Sequence, residues 1–330
     1  MSEQPPLLEL RNLGITYRTD RGLVSAVDDV SLTVPKGASI GLVGESGSGK
    51  STIALAILRL LPANARVSGQ IIVNGTDLVR LSEAELNRSW RWSKLSMVFQ
   101  KSLSALSPVH RIGDQMHDVL RTNDPGMSDR DRNERIERVL TAVHLPKRVL
   151  RSYPFELSGG MMQRTMISLG LLCDPPFVIF DEATTALDVI TQSQILDEIS
   201  RLKQEFDLTT MVISHDVGVI NATTDIVAVL YAGQLMEVAP REAFFANAQH
   251  PYSQALIGSI PRLTGPRERI RGIPGSLPDL TNPPQGCRFA PRCPHATGGC
   301  LTTTPPLVEV SPGHLVRCTE FPLKSEEEVA

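Results

Sequence analysis

Residues 44–51, which read Gly-Glu-Ser-Gly-Ser-Gly-Lys-Ser, constrain the fold more than any other segment of the chain. They fit the pattern G-x-x-x-x-G-K-[ST], with an apolar run at 39–43 before them and a helix-like segment at 50–61 after them. Glycines let backbone N–H groups converge on an anion, and the start of the helix adds the positive end of its dipole. The segment therefore predicts a strand, a phosphate-binding loop and a helix in succession.

Within this loop, Lys50 is expected to reach the β- and γ-phosphates of a nucleotide and Ser51 to hold Mg²⁺. The candidate nucleotide contacts are Gly44, Glu45, Ser46, Gly47, Ser48, Gly49, Lys50, Ser51 and Thr52.

Alternating strand-like and helix-like segments predict an α/β fold from residue 7 to about residue 245. The predicted strands are 8–13, 27–34, 39–43, 177–180, 209–213, 226–230 and 234–238, and the predicted helices include 50–61 and 189–206. Residues 101–172 carry apolar residues at helical spacing and a charged stretch, which predicts a helical insertion. A shift to Pro- and Gly-rich sequence after residue 247 predicts a linker and a small C-terminal module.

The overall composition excludes some classes of function. The chain of 330 residues has a formal net charge of −3 and a pI near 6.2, so no general affinity for nucleic acid is expected. No apolar run approaches the roughly 18 residues of a membrane span, and no signal peptide is visible at the N-terminus. The expected location is the cytoplasm, with any membrane association made through a partner.

Two acidic residues follow the apolar run at 177–180. Asp181 is placed where a parallel strand ends, the edge at which open α/β sheets bind ligands. It is expected to bind Mg²⁺ through water, and Glu182 to orient and polarise an attacking water as the catalytic base. An acidic turn without function is the alternative for this pair alone.

A second predicted helix start that contains glycines lies at Ser158, Gly159 and Gly160. Ser158 precedes Asp181 by 23 residues. Alone it would be a simple N-cap with a glycine turn. In its context, Leu-Ser-Gly-Gly-Met at 157–161, it resembles the signature motif of the ATP-binding subunits of ABC transporters.

The resemblance to that family covers nearly all of the chain. Met161 stands where glutamine is commonest, as in the peptide-permease branch, and Ala183 replaces the usual proline after the catalytic glutamate. The other matching positions are Gln100 of the Q-loop, residues 186–188 of the D-loop, the switch histidine His215, and Tyr17, where an aromatic ring stacks on adenine.

The resemblance implies an ABC-type P-loop ATPase domain at residues 1–250, with a RecA-like core, an antiparallel β subdomain and an α-helical subdomain at about 101–172. It implies that two such domains close head-to-tail, so that Ser158, Gly159 and Gly160 contact ATP held by the partner. His215 would contact the γ-phosphate, and Gln100 would bind Mg²⁺ and sense a docked membrane subunit. The implied partners are a second, different ATPase subunit, two transmembrane permease subunits and an extracytoplasmic binding protein, at the cytoplasmic face of the membrane.

Four of the five cysteines lie near the C-terminus, at 287, 293, 300 and 318. In a reducing cytosol such a group favours metal binding, and four thiolates suit zinc or an iron–sulfur cluster. The spacing C-x5-C-x6-C-x17-C is unlike a zinc ribbon and leans toward a cluster. Segments 250–253, 274–279 and 284–294 resemble the tail of oligopeptide/dipeptide permease ATPases, which implies a [4Fe-4S] cluster on Cys287, Cys293, Cys300 and Cys318 within a module at 251–330.

Several functions stay open from the sequence alone. The first is ATP hydrolysis for a dipeptide or oligopeptide importer, and importers of nickel or oligosaccharides belong to the same branch. A soluble DNA-repair or chromosome ATPase would need a long coiled coil or DNA-binding zinc module, and neither pattern is present. A non-hydrolysing regulatory module is disfavoured by intact Lys50, Glu182 and His215.

Overall fold

The computed structural model describes residues 5–99, 105–184, 187–259 and 272–319. Gln100 and Ala186, two of the motif positions, lie outside these ranges. The chain divides into two compact bodies. The first comprises Met1–Leu7, Val34–Ser39 and Arg80–Val212, and the second comprises Leu8–Thr33, Ile40–Val79 and Ile213–Ala330.

The strands of the described residues follow one another along the chain. They are β1 (Leu8–Thr19), β2 (Gly22–Val34), β3 (Ser39–Val43), β4 (Ala65–Val73), β5 (Thr76–Asp77), β6 (Leu95–Val98), β7 (Phe177–Asp181), β8 (Thr209–Ser214), β9 (Ile226–Tyr231), β10 (Gln234–Pro240), β11 (Val308–Ser311) and β12 (His314–Val316).

The α-helices of the same ranges are α1 (Lys50–Ile57), α2 (Glu83–Ser89), α3 (Ile112–Asn123), α4 (Asp129–Ala142), α5 (Gly159–Leu171), α6 (Val189–Glu205), α7 (Val217–Thr223), α8 (Arg241–Asn247), α9 (Pro251–Gly258) and α10 (Gly298–Thr302). None of these helices has the length and apolarity that crossing a bilayer requires.

The second body contains an antiparallel sheet in the order β2-β1-β4-β5. β1 pairs with β4 from Leu8 opposite Val73 to Tyr17 opposite Ala65. Both β1 and β2 extend beyond the predicted apolar patches because their polar outer halves still pair with neighbours.

A second set of strands in this body runs in the order β11-β12-β10-β9-β3. β3 is parallel to β9, with Ile40 opposite Ile226, whereas β10 is antiparallel to β9. The C-terminal hairpin of β11 and β12, which the sequence did not predict, joins the edge of β10 with Glu237 opposite Val316.

In the first body, β6 is parallel to β7, with Leu95 opposite Phe177. Helices α3, α4 and α5 occupy the segment predicted as a helical insertion. Their buried faces repeat at helical spacing, as Ile112, Met116 and Leu120 of α3 show. β7 is buried along its whole length, as expected for a parallel strand covered on both faces.

Helix α1 ends at Ile57, although the pattern predicted a helix to residue 61. Arg59 adopts a positive φ of 54°, a left-handed conformation that stops an α-helix. Pro62 follows shortly after and cannot continue the helix.

Candidate functional site

The predicted phosphate loop joins β3 to α1, the context that its motif requires. Gly49 is the N-cap of α1 with a φ of 105°, and Gly44 has a φ of 154°, so both positions favour glycine. A Cβ at Gly49 would lie 2.6 Å from the carbonyl oxygen of Ala26. The backbone therefore passes too close to its neighbours for side chains at these positions.

Lys50 is buried and its ammonium group lies inside the loop. Its Nζ donates to the carbonyl oxygens of Gly44, at 2.7 Å, and Glu45, at 2.8 Å, and to Ser48 Oγ at 3.3 Å. These three bonds hold the ammonium group within the predicted phosphate loop. Ser51 is exposed and Thr52 half-buried at the start of α1.

C-terminal residues support this loop, a feature that the sequence did not predict. The amide N–H of Glu45 donates to the hydroxyl of Tyr252 at 3.0 Å, and the guanidinium of Arg292 pairs with the Glu45 carboxylate at 2.7 and 2.9 Å. No periodic pattern marks such contacts, because the residues are 207 and 247 positions apart.

Tyr17 and His215 also lie in the second body. Tyr17 is half-buried on β1 and opposes Ala65 of β4. His215 is exposed directly after β8, and the neighbouring Asp216 caps α7 by accepting from the Gly218 amide at 2.8 Å. Their predicted contacts, with adenine for Tyr17 and with the γ-phosphate for His215, stay predictions.

In the first body, Asp181 is buried at the carboxyl end of β7, as predicted for that edge. Glu182, half-buried, follows it with a φ of 47°. A non-glycine residue in this left-handed region costs on the order of 1–3 kcal/mol, and such residues concentrate at functional sites. The strained turn holds the Glu182 carboxylate at the end of the strand.

The predicted signature residues lie beside the D-loop within this same body. Ser158 caps α5, accepting from the Met161 amide at 3.4 Å, and Asp188 caps α6, accepting from the Thr191 amide at 3.0 Å. A Cβ at Gly160 would lie 3.0 Å from Thr191 Cγ2, so the two helix starts are close together.

An open cleft is lined by these two helix starts and by Arg148, Arg164, His144 and Asp188. Arg164 pairs with the buried carboxylate of Glu198 at 3.2 Å. Two helix N-termini and Arg148 therefore make the cleft suited to an anion.

The prediction of a [4Fe-4S] cluster, with zinc as the alternative, is wrong. Cys287, Cys293, Cys300 and Cys318 do line one small cavity. Within residues 5–99, 105–184, 187–259 and 272–319, however, no group of three or more potential ligands is arranged to hold a metal ion. The four cysteines thus line the same cavity but do not form a metal coordination site.

The four thiols lie in mainly apolar surroundings. Burial raises the pKa of Cys287 and raises that of Cys293 to about 11. Cys300 Sγ lies 3.4 Å from Thr297 Oγ1 and 3.6 Å from Thr319 Oγ1. The cavity is walled mainly by apolar groups, including Phe289. Cys287 and Cys300 are buried, and Cys293 and Cys318 are partly exposed.

Cys173, the fifth cysteine, is partly buried, and burial raises its thiol pKa to about 11. His295 lines the same cavity as the four C-terminal cysteines.

Comparison with known families gives two matches. Residues 27–185 match the ABC transporter family, and residues 236–300 match the C-terminal region of oligopeptide/dipeptide transporters. The chain is 43% identical to the oligopeptide transport ATP-binding protein OppD of Salmonella typhimurium over 94% of this chain and 93% of the relative. It is also 43% identical to OppD of Haemophilus influenzae, over 95% and 97% of the two chains.

Among solved structures, the chain is similar to the dimeric ATP-binding cassette MJ0796 in a post-hydrolysis state bound to ADP and Pi. The TM-score is 0.63 at 26% identity, with 71% of this chain and 98% of that chain covered.

Proposed function

The chain belongs to the oligopeptide transport branch of the ABC transporter ATP-binding subunits, and we propose that it binds and hydrolyses ATP to drive import of dipeptides or oligopeptides. Its fold is the mixed α/β fold of an ATP-binding cassette. The observation that carries the proposal is the loop between β3 and α1, in which Lys50 Nζ donates to the carbonyl oxygens of Gly44 and Glu45. OppD of Salmonella typhimurium, 43% identical, is named as an oligopeptide transport ATP-binding protein.

The roles of individual residues follow from their chemistry. Lys50 would bind the β- and γ-phosphates, and Ser51 and Gln100 would ligate Mg²⁺, with Asp181 acting through water. Hydroxyl, amide and carboxylate oxygens are the ligands that Mg²⁺ prefers, so this set of side chains fits that ion. When bound, Mg²⁺ supplies charge neutralisation at the β- and γ-phosphates.

Glu182 would polarise the attacking water, and His215 would contact the γ-phosphate and help to place that water. Tyr17 would stack on adenine. The strained backbone at Glu182 supports its role, because fixed geometry favours a base that must meet one water molecule.

The signature residues Ser158, Gly159 and Gly160 would bind the ATP of a second cassette in a head-to-tail pair. The cation-lined cleft beside them supports this role, since it offers two helix N-termini and Arg148 to an anion from outside the chain. In the branch to which the chain belongs, that second cassette would be a different ATPase subunit, which makes a heterodimer.

The remaining partners would be two transmembrane permease subunits and an extracytoplasmic substrate-binding protein, with this chain at the cytoplasmic face of the cell membrane. Residues 1–250 would form the ATPase domain, with the helical part at about 101–172. Residues 251–330 would form a small Cys-rich module typical of the branch. The match of residues 236–300 to the oligopeptide/dipeptide C-terminal region supports that division.

Nickel and oligosaccharides remain alternative cargoes, because the membrane and extracytoplasmic partners select the substrate. A soluble DNA-repair function has no comparable support. Transport assays with reconstituted complexes would separate these cargoes: uptake of a labelled dipeptide or oligopeptide is expected, and uptake of nickel alone would contradict the peptide assignment.

The hydrolytic role is tested by the substitution Glu182→Gln in the assembled transporter. Loss of the base should leave ATP bound intact while phosphate release falls by at least about 100-fold, the scale expected of general-base catalysis. Hydrolysis at the wild-type rate would show that Glu182 is not the base.

A further inference from the structure

Arg292 lies at the end of a short 3-10 turn, Ala290–Arg292, and its side chain is only 5% exposed. Two of its N–H groups pair with the two carboxylate oxygens of Glu45. The others donate to the carbonyl oxygens of Pro274, at 2.7 Å, and Ile273, at 3.1 Å, and to the hydroxyl of Tyr231 at 3.3 Å. All five guanidinium donors therefore have acceptors, which fixes the group in one orientation.

The turn that presents Arg292 rests on an aromatic cluster formed by Tyr231, Tyr252 and Phe289. The ring of Phe289 lies 5.2 Å from those of Tyr231 and Tyr252, and the two tyrosine rings are 4.7 Å apart. All three side chains are buried. Rings in such edge-on contact leave the turn little freedom to move.

The C-terminal segment thus holds Glu45 at two points. Tyr252 accepts from its amide N–H, and Arg292 binds its carboxylate. The carbonyl oxygen of Glu45 accepts from Lys50 Nζ and from the Ser48 amide, the latter at 3.2 Å. Fixing the Glu45 peptide consequently fixes the acceptor against which Lys50 is placed.

A second contact brings the same segment to the loop. A Cβ at Gly47 would lie 3.6 Å from Leu277 Cδ1, so the Leu277 side chain lies beside the loop at Gly47. Because Arg292 binds the carbonyl oxygens of 273 and 274, it connects this stretch to Glu45.

The charge of Glu45 adds an electrostatic argument. A carboxylate in a loop that receives a polyphosphate repels its ligand unless a cation neutralises it. Arg292 supplies that cation with bidentate geometry, which a lysine cannot reproduce.

We propose that Arg292 is a positioning residue of the ATP site, which neutralises Glu45 and holds the phosphate loop in its binding conformation. The inference deepens the proposed function and rests on ATP binding at this loop. On this proposal, C-terminal residues, Arg292 above all, help to form the nucleotide site.

The test is equilibrium binding of ATP and ADP to the full chain, with fluorescent analogues, for wild type, Arg292→Lys, Arg292→Ala and the double variant Arg292→Ala/Glu45→Gln. Arg292→Ala should weaken ATP binding by about tenfold or more, and ADP binding less, because ATP carries the larger negative charge. Arg292→Lys should lose part of the affinity. Removing the carboxylate in the double variant should restore part of the ATP affinity lost in Arg292→Ala.

Arg317→Lys is the matched control. Arg317 is a buried C-terminal arginine that binds the carbonyl oxygens of Leu235 and Pro305 instead of the loop. Its variant should match Arg292→Lys in lowered melting temperature while retaining wild-type nucleotide affinity.

Unchanged ATP affinity in Arg292→Ala, or an equal loss for ATP and ADP without rescue by Glu45→Gln, would overturn the proposal and leave Arg292 a purely structural residue. Failure of the wild-type chain to bind either nucleotide would instead refute the proposed function, so the two failures are distinguishable.

Discussion

Protonation of His250 should destabilise the folded chain in mild acid. The imidazole is 2% exposed, and its Nδ1 accepts a hydrogen bond from the Tyr252 amide at 3.0 Å. Burial, reinforced by the positive charge of Arg317, lowers its pKa from 6.5 to about 3. The neutral ring therefore persists in the folded state at pH values where the unfolded chain already binds a proton.

The size of the effect follows from proton linkage. Between pH 6.5 and about 3 the unfolded state holds one more proton at this residue, so stability rises with pH and is lost as the pH falls. Each pH unit in that window corresponds to about 1.4 kcal/mol. Between pH 7.5 and pH 5.5, His250 alone should lower the free energy of unfolding by about 1.4 kcal/mol.

Urea unfolding at the two pH values, compared with His250→Asn, isolates this contribution. The asparagine oxygen can accept from the Tyr252 amide and cap α9 as His250 does, but it does not titrate. The packing that the smaller side chain loses lowers the free energy of unfolding equally at both pH values. The wild type should lose about 1.4 kcal/mol more than the variant between pH 7.5 and 5.5. Identical losses in the two proteins would show that His250 does not cause the acid destabilisation.

Three pairs of substitutions test other residues of the proposed site. Gly49→Ala should destabilise the chain by about 1–3 kcal/mol and abolish ATP binding, because the added Cβ would clash with the Ala26 carbonyl oxygen. In Gly75→Ala, φ is 77° but no neighbour lies within 4 Å, so the loss should be about 1 kcal/mol and ATP binding should stay intact. Melting curves and ATP titration measure the two effects. Ser158→Ala and Ser128→Ala should each lose about 1 kcal/mol of helix capping, but only Ser158→Ala should reduce ATP hydrolysis by the assembled transporter. Equal hydrolysis in those two variants would contradict a role for Ser158 in trans. Tyr17→Ala should weaken ATP binding by about tenfold and Tyr17→Phe should not, since stacking needs only the ring; equal affinities would remove Tyr17 from the adenine contact.

The sequence predicted those features that depend on local patterns. The strand before Gly44, the acidic end of β7 and the helix that Ser158 opens all follow from short-range periodicity and capping. These elements lie where the residue patterns placed them because each motif includes its own strand or helix boundary.

Long-range contacts escaped prediction. Nothing near Arg292 in the sequence indicates Glu45 as its partner, and the β12 pairing with β10 depends on two strands separated by more than 70 residues. The cysteine spacing led to an error for a related reason. Spacing limits how far apart four thiols can lie, but the direction of each side chain and its burial decide whether it can ligate a metal.

Equilibrium binding of Mg·ATP to the purified chain and to Lys50→Ala tests whether the loop between β3 and α1 is the ATP site. Lys50 Nζ donates to the carbonyl oxygens of both Gly44 and Glu45 in the loop, and its proposed role is to bind the phosphates. One ATP per wild-type chain is expected, with affinity reduced by at least about 100-fold in the variant, as for loss of a charge-assisted contact of about 3 kcal/mol. Absence of binding by the wild type, or equal affinity in both proteins, would contradict the assignment of this loop as the ATP site.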